Sequence, residues 1–160
     1  MAPYYRVGSF TSHNSIGSLL CRTFNTVLPK TESLFEDQEL TFTQWRVMMS
    51  LRDNVATTCA DIARTLRHDN GSMTRLVDQL EAQGLVSRNR SSTDRRVVHL
   101  ALTAKGKRTM EALIPRVVDL WNDVLKDFTR NEADMLIALL NRLLTSVDAT
   151  DLASEQRHAS

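Results

Sequence analysis

Cysteine is scarce in this chain, and the two that occur, Cys21 and Cys59, form no CxxC pair and stand at no zinc-ligand spacing. Neither a disulfide framework nor a zinc knuckle is available, and a reducing compartment is expected. Long hydrophobic runs are missing as well. The longest, Met135 to Leu140, falls far short of the roughly 20 apolar residues of a membrane span. The N-terminus has no apolar segment of signal-peptide type, so the expected location is the cytosol, with no membrane partner. No nucleophile–base pair, phosphate-binding loop or metal cluster occurs at working spacing, and His68 and His99 have no ligand spacing to either cysteine or to each other. These absences exclude most enzyme classes and a metal sensor. No catalytic residue, metal or cofactor is expected.

The chain has 160 residues, 42% of them hydrophobic and 24% charged, which is ordinary for a folded domain and too apolar for a disordered one. A chain of this length buries roughly two-thirds of its unfolded surface. The net charge is only +1, but its distribution is uneven. From Ile62 to Arg108 ten Lys or Arg stand against four acids, a balance of +6 that leaves −5 for the remainder. A basic lobe on an acidic body is the footprint of a nucleic-acid binder, although a charge run by itself is also what a solvated face looks like.

The basic stretch has internal order. Met73, Leu76, Val77 and Leu80 recur at the spacing of one helical face, while Ser72, Thr74, Arg75, Asp78 and Gln79 fall on the other. Asp69 or Asn70 supplies a side-chain acceptor to cap the start, and Gly84 sits where a left-handed residue ends a helix cheaply. Val86 to Arg88 and Val97 to Leu102 then bracket the polar loop Asn89 to Arg95, which predicts a hairpin with a charged tip. A short helix precedes it: Thr58-x-x-Asp61 has cap spacing before Ile62, Ala63 and Leu66, and Arg67 and His68 make the turn. A polar helix face bearing Arg75 suits the major groove, and a hairpin carrying Arg90, Arg95 and Arg96 suits the backbone or minor groove beside it.

Helix, turn, helix and hairpin in this order resemble the multiple-antibiotic-resistance regulator (MarR) family of bacterial transcription factors, in its SlyA-like branch. The residues that carry the resemblance are Leu40-Thr41, Gln44-Trp45, Asp61-Ile62-Ala63 and Leu66, then Thr74-Arg75-Leu76-Val77-Asp78-Gln79-Leu80-Glu81, Gly84-Leu85-Val86 and Arg88, and finally Asp94-Arg95-Arg96, Leu102-Thr103 and Gly106. The resemblance implies double-stranded DNA as partner, with base contacts at Ser72, Thr74 and Arg75. An arginine there can bond guanine O6 and N7 in parallel; the bland alternative is a surface pair with Asp78 or Gln79. It also implies that Asp94 holds Arg96 outward for a narrow minor groove. Arg88, Arg90 and Arg95 are expected on phosphates, where they position without specifying sequence.

The fold class expected is mainly α with a small β-hairpin wing (α+β): a winged helix-turn-helix lobe over residues 40–103, flanked by a helical dimerisation region formed by 12–37 and 104–147. Residues 1–11 read as an arm that is ordered only if it docks, and 148–160 as a disordered tail. Pro29 is expected to kink or split the first helix, and Pro115 to bend the fifth. Thr41-x-x-Gln44 and Thr129-x-x-Glu132 have capping-box spacing. The apolar stripes of the terminal helices exceed what one lobe covers, so a homodimer is expected.

Family members commonly respond to small aromatic acids or phenols held between the dimer helices and the DNA lobe. The corresponding expectation here is a pocket of His13, Ser18, Arg22, Trp45 and Met49, with Met48 beside them, although a Trp and Met stripe is also what plain core looks like. Cys21 opens a rival, thiol-based redox input, but its tyrosine partners are absent and a structural, buried cysteine is expected. A winged helix used as a protein-interaction module is the alternative to DNA binding.

Overall fold

The computed structural model describes residues 3–90 and 97–158, with side chains described as far as 149. Among them six helices and one hairpin follow in the order α1 (Ile16–Ser33), α2 (Phe42–Arg52), α3 (Cys59–Leu66), α4 (Asn70–Ala82), β1 (Val86–Arg90), β2 (Val98–Leu102), α5 (Ala104–Val124) and α6 (Arg130–His158). This is the mainly helical winged helix-turn-helix architecture that the sequence predicts. The chain divides into two compact units, Met1–Val118 and Asp119–Ser160. No helix among the described residues is long and apolar enough to cross a membrane.

The elements begin and end where local chemistry says they should. Thr41 and Gln44 form a reciprocal capping box at the start of α2, and Thr129 and Glu132 do the same for α6, the Glu132 carboxylate accepting the Thr129 N–H at 2.8 Å. Thr58 closes only half a box: its hydroxyl accepts the Asp61 N–H, but the Asp61 carboxylate turns to the Thr58 hydroxyl and to Arg64. At the end of α4, Gly84 takes φ 69°. The Gly84 N–H donates to Glu81 O at 2.8 Å and the Leu85 N–H to Leu80 O at 2.9 Å, a Schellman pair that satisfies two terminal carbonyls.

The core of the first unit is built from one face of each helix. Met73, Val77 and Leu80 of α4 are buried with Ile62 and Ala63 of α3, Trp45, Val47 and Met48 of α2, Leu85, Val86 and Leu100 of the hairpin, and Met110 and Leu113 of α5. The first turns of α5 therefore belong to the lobe's own core. The wing is antiparallel, in the register Val86↔Leu102 to Arg90↔Val98. Its inner strand is tied to the α2–α3 turn by a Thr58↔His99 bridge and by the Leu100 N–H donating to Thr57 O at 2.7 Å.

Several expectations are corrected here. The first helix spans Ile16–Ser33 rather than 12–37, because Ser15 caps it and a 3₁₀ turn, Glu36–Gln38, replaces its end. Neither Pro29 nor Pro115 breaks its helix. Each removes one donor, but the flanking turns are held elsewhere: Thr26 and Thr31 hydroxyls bond the Arg22 and Val27 carbonyls, and Arg116 grips Asp37 at 2.7 and 2.9 Å and Leu34 O at 3.2 Å. The arm does dock, on its own helix: the Tyr5 hydroxyl accepts the Ile16 N–H at 2.9 Å and donates to Asn14 O at 2.8 Å, with Tyr4 and Phe10 edge-on to its ring. The segment expected as a disordered tail from 148 is helical as far as His158; loss of apolar period ends a buried stripe, but it does not end a helix.

The second unit is the end of α5, a turn and α6. Met135, Leu136, Leu139, Leu140, Leu144 and Val147 are exposed in the single chain.

Candidate nucleic-acid interface

The α3–α4 turn is compact because Arg67 adopts φ 54°, allowing the His68 N–H to reach Ala63 O at 2.8 Å. Asp69 then caps α4, its carboxylate accepting the Gly71 N–H at 2.9 Å and the Ser72 N–H at 2.8 Å. Bonds from the Ser72 side chain, then from the Ser72 and Gly71 backbone, pull its pKa down from 3.8 to about 2. A carboxyl depressed on folding contributes stability above its unfolded pKa and loses it as pH falls through the folded value. Asp69→Ala should therefore lower the melting temperature at neutral pH, and the deficit against wild type should shrink from about pH 4 down towards about 2. Asp69→Asn, an equally good cap, should keep most of the neutral-pH stability. Thermal melts of the three proteins across that range check this, and a deficit independent of pH would contradict it.

The cap orients the exposed face of α4. Arg75 is exposed and tied only loosely, at 3.4 Å, to the Ser72 hydroxyl. The surface partners that the sequence offered it are engaged elsewhere: Asp78 with Arg88, and Gln79 with the amide of Gln44, which is buried, at 3.2 Å. Thr74 is exposed, its hydroxyl donating back to Asn70 O at 2.8 Å. Ser72 is half-buried beside the cap. The three side chains expected to read DNA thus share the start of one helix whose other face is core.

The wing is less uniform. Arg90 ends β1 and is exposed. Asp94, Arg95 and Arg96 lie outside the described residues. Arg88 does not stand free as a phosphate contact: its guanidinium bonds Asp78 at 2.7 Å and also Glu81, both on α4. Burial works against its charge, yet the bonds to Asp78 and Glu81 outweigh it and hold its pKa above the ordinary value. Three further ties bear on these elements, two of them beyond sequence reading. Gln44 bonds Gln79; the Thr103 hydroxyl donates to Gly84 O at 2.6 Å while accepting the Gly106 N–H at 3.0 Å; and Arg116 pairs with Asp37. Only the Thr103–Gly106 cap had a local signal.

The residues expected to line a ligand pocket differ in burial. Trp45, 5% exposed, stacks on Phe35 at 5.1 Å between ring centroids, and Met48 is buried. Met49 and Ser18 are half-buried, whereas His13 and Arg22 are exposed. The indole and the Phe35 ring belong to the core cluster. A cleft of about 410 Å³ lies elsewhere, between the end of α2, the inner strand and the first turns of α5, with Leu51, Leu102, Met110 and Ile114 as apolar walls and Arg52, Lys107 and Glu111 as its charged groups, Arg52 being paired with Asp53. Cys21 corrects another expectation: it is exposed on α1, not buried, and its sulfur accepts from the Asn25 amide at 3.5 Å. Among the described residues, no group of His, Cys, Asp and Glu could hold a metal ion.

Comparison with known proteins converges on one family. Residues 40–98 match the MarR family model. The multiple antibiotic resistance protein MarR of Salmonella typhimurium is 31% identical over 107 residues, covering 66% of this chain and 74% of that protein. The crystal structure of wild-type MarR from E. coli in its apo form superposes with a TM-score of 0.68 at 27% identity, over 81% of this chain and 96% of that one. The structure of Bordetella bronchiseptica BpsR, described as regulated in DNA binding by 6-hydroxynicotinic acid, gives 0.74 at 23% identity over 85% and 97%; at that identity the likeness is one of fold.

Proposed function

Because this chain belongs to the MarR family of DNA-binding transcriptional regulators, which catalyse no reaction, we propose that it is a homodimeric repressor that binds a pseudo-palindromic operator and is released by a small aromatic acid. The observation that carries the reading is α4: a carboxylate cap at Asp69, a buried Met73–Val77–Leu80 face, and Arg75 exposed with no carboxylate bonded to it among the described residues. Ser72, Thr74 and Arg75 contact base edges in each half-site. Arg90 and Arg95 take phosphates, and Asp94 aims Arg96 into the flanking minor groove. A SlyA-like branch within the family is part of this reading.

The test is DNA capture from genomic fragments, followed by fluorescence anisotropy on the enriched duplex. Arg75→Ala should weaken binding by about 1–3 kcal/mol and relax preference at one base pair per half-site. Wild-type affinity in Arg75→Ala at physiological salt would remove the docking geometry. A log–log salt dependence near zero would favour the protein-interaction reading instead.

For the effector, the regulation of BpsR by 6-hydroxynicotinic acid supports an aromatic carboxylate, and the cleft with apolar walls offers it Lys107 as a cation, beside Glu111 and an Arg52 already paired with Asp53. Release of operator by salicylate or hydroxynicotinate, weakened in Lys107→Ala, is the expected result; His13, Ser18, Arg22, Trp45 and Met49 remain the seat to mutate if Lys107→Ala responds normally. The exposure of Cys21 favours a second reading, thiol oxidation as input. Peroxide-driven release that Cys21→Ser abolishes would establish it in place of the acid.

A further inference from the structure

Arg88 lies on β1, ten residues from Asp78 and seven from Glu81, and bonds both. Those two acids stand one turn apart on α4, next to the face that carries Arg75. A guanidinium presents its donors in a rigid plane, so bonding two carboxylates on successive turns of one helix fixes strand against helix in angle as well as distance. Val86 packs the start of β1 into the core, while the other hydrogen bonds between wing and lobe act on β2, through Thr57, Thr58 and His99. No other side-chain bond among the described residues holds the outer strand to the helix. The acids are also chemically odd: carboxylates beside a DNA-binding face repel phosphate, and their presence calls for a use inside the protein.

From this geometry we infer that the Arg88–Asp78–Glu81 latch sets the spacing between the reading helix and the wing, making Arg88 a positioning residue for DNA binding and not a phosphate contact. The inference rests on the DNA-binding reading above. The latch lets Arg75 and the wing arginines engage one half-site at the same time. Without it each still meets its own groove, but the two contacts no longer come as one event and their joint contribution falls.

The latch predicts an effect of unusual sign. Replacing two acids next to DNA makes the protein more basic, which on electrostatic grounds tightens binding and steepens its salt dependence. Asp78→Asn/Glu81→Gln should instead bind the operator more weakly, by roughly tenfold, a typical coupling between two sites, with footprint protection lost at the flanks before the centre. Arg88→Ala should weaken binding similarly while its log–log salt slope stays at the wild-type value. Removing an arginine that neutralised a phosphate would instead lower that slope by about 0.9. The latch itself is measured without DNA, by the distance distribution between spin labels at Thr74→Cys and Asn89→Cys in a Cys21→Ser/Cys59→Ser background, which should broaden in both latch variants. Equal or tighter binding by the double acid variant, a reduced slope for Arg88→Ala, or an unchanged spin-label distribution would each overturn the proposal. Absence of any DNA binding by the wild type, with the distribution broadening as expected, would defeat the functional reading and leave the latch standing.

Discussion

Gly106→Ala should lower the melting temperature by roughly 3–12 °C, the equivalent of about 1–3 kcal/mol of overpacking in a chain of this length. In a helix Ala normally stabilises relative to Gly by about 1 kcal/mol, so the expected sign is inverted. The reason is the approach of the first turn of α5 to the start of the wing: a Cβ at Gly106 would lie 2.1 Å from Leu85 O and 3.0 Å from Leu85 C. That carbonyl cannot swing aside freely, because it accepts the Thr103 N–H at 3.0 Å and belongs to the residue that closes the end of α4. Gly17→Ala is the matched control. In α1 the added methyl meets only Ser15 Oγ, at 3.9 Å, and the same substitution should be neutral or stabilising. Thermal melts of the two variants decide the matter; a Gly106→Ala protein as stable as wild type would mean that α5 and the wing do not approach as described. Because Leu85 follows the reading helix directly, the DNA affinity of Gly106→Ala at a temperature where it remains folded should fall as well.

Leu139→Asp should convert the proposed homodimer into a monomer or unfold it. In the single chain Leu139 is 48% exposed, and a charge at a half-exposed position of an isolated helix costs little. If a second copy covers it, the same carboxylate is buried without a partner at a cost of several kcal/mol, comparable with the whole stability of a small domain. The apolar series Met135, Leu136, Leu139, Leu140, Leu144 and Val147, together with Val118, Trp121 and Phe128, is exposed in the single chain. Exposed apolar side chains in such number mark an association site. Sedimentation velocity at micromolar concentration should show a dimer for wild type and a slower species for Leu139→Asp. A wild type that sediments as a folded monomer, or a Leu139→Asp protein indistinguishable from it, would sink the dimer and with it the pseudo-palindromic operator.

The parts of this molecule that could be read from sequence are those whose partners lie within a few residues. Thr41 and Gln44, Thr129 and Glu132, Asp69 with Gly71 and Ser72, and Gly84 after α4 are all short-range hydrogen-bonding arrangements, and a residue pattern specifies them directly. The same holds for the Met73–Val77–Leu80 face, since helical period alone predicts which side is apolar. Sequence failed where a local rule was overridden by something distant. Pro29 was expected to kink or split α1 and Pro115 to bend α5; neither helix is interrupted, and the turn after Pro115 is pinned by Arg116 reaching Asp37. Cys21 was expected to be buried because cysteine usually is, yet in the single chain it is exposed.

The candidate site divides along the same line. That α4 would present Ser72, Thr74 and Arg75 was fixed by 3.6-residue periodicity and a capping acid, both properties of one contiguous segment. That Asp78 would be taken by Arg88, that Gln79 would be taken by Gln44 across 35 positions, and that Trp45 would stack on Phe35 were decided by tertiary structure. Those pairings depend on which faces of separate elements meet, and the free energy that selects them is side-chain burial summed over the whole core, to which no single stretch of sequence holds the answer.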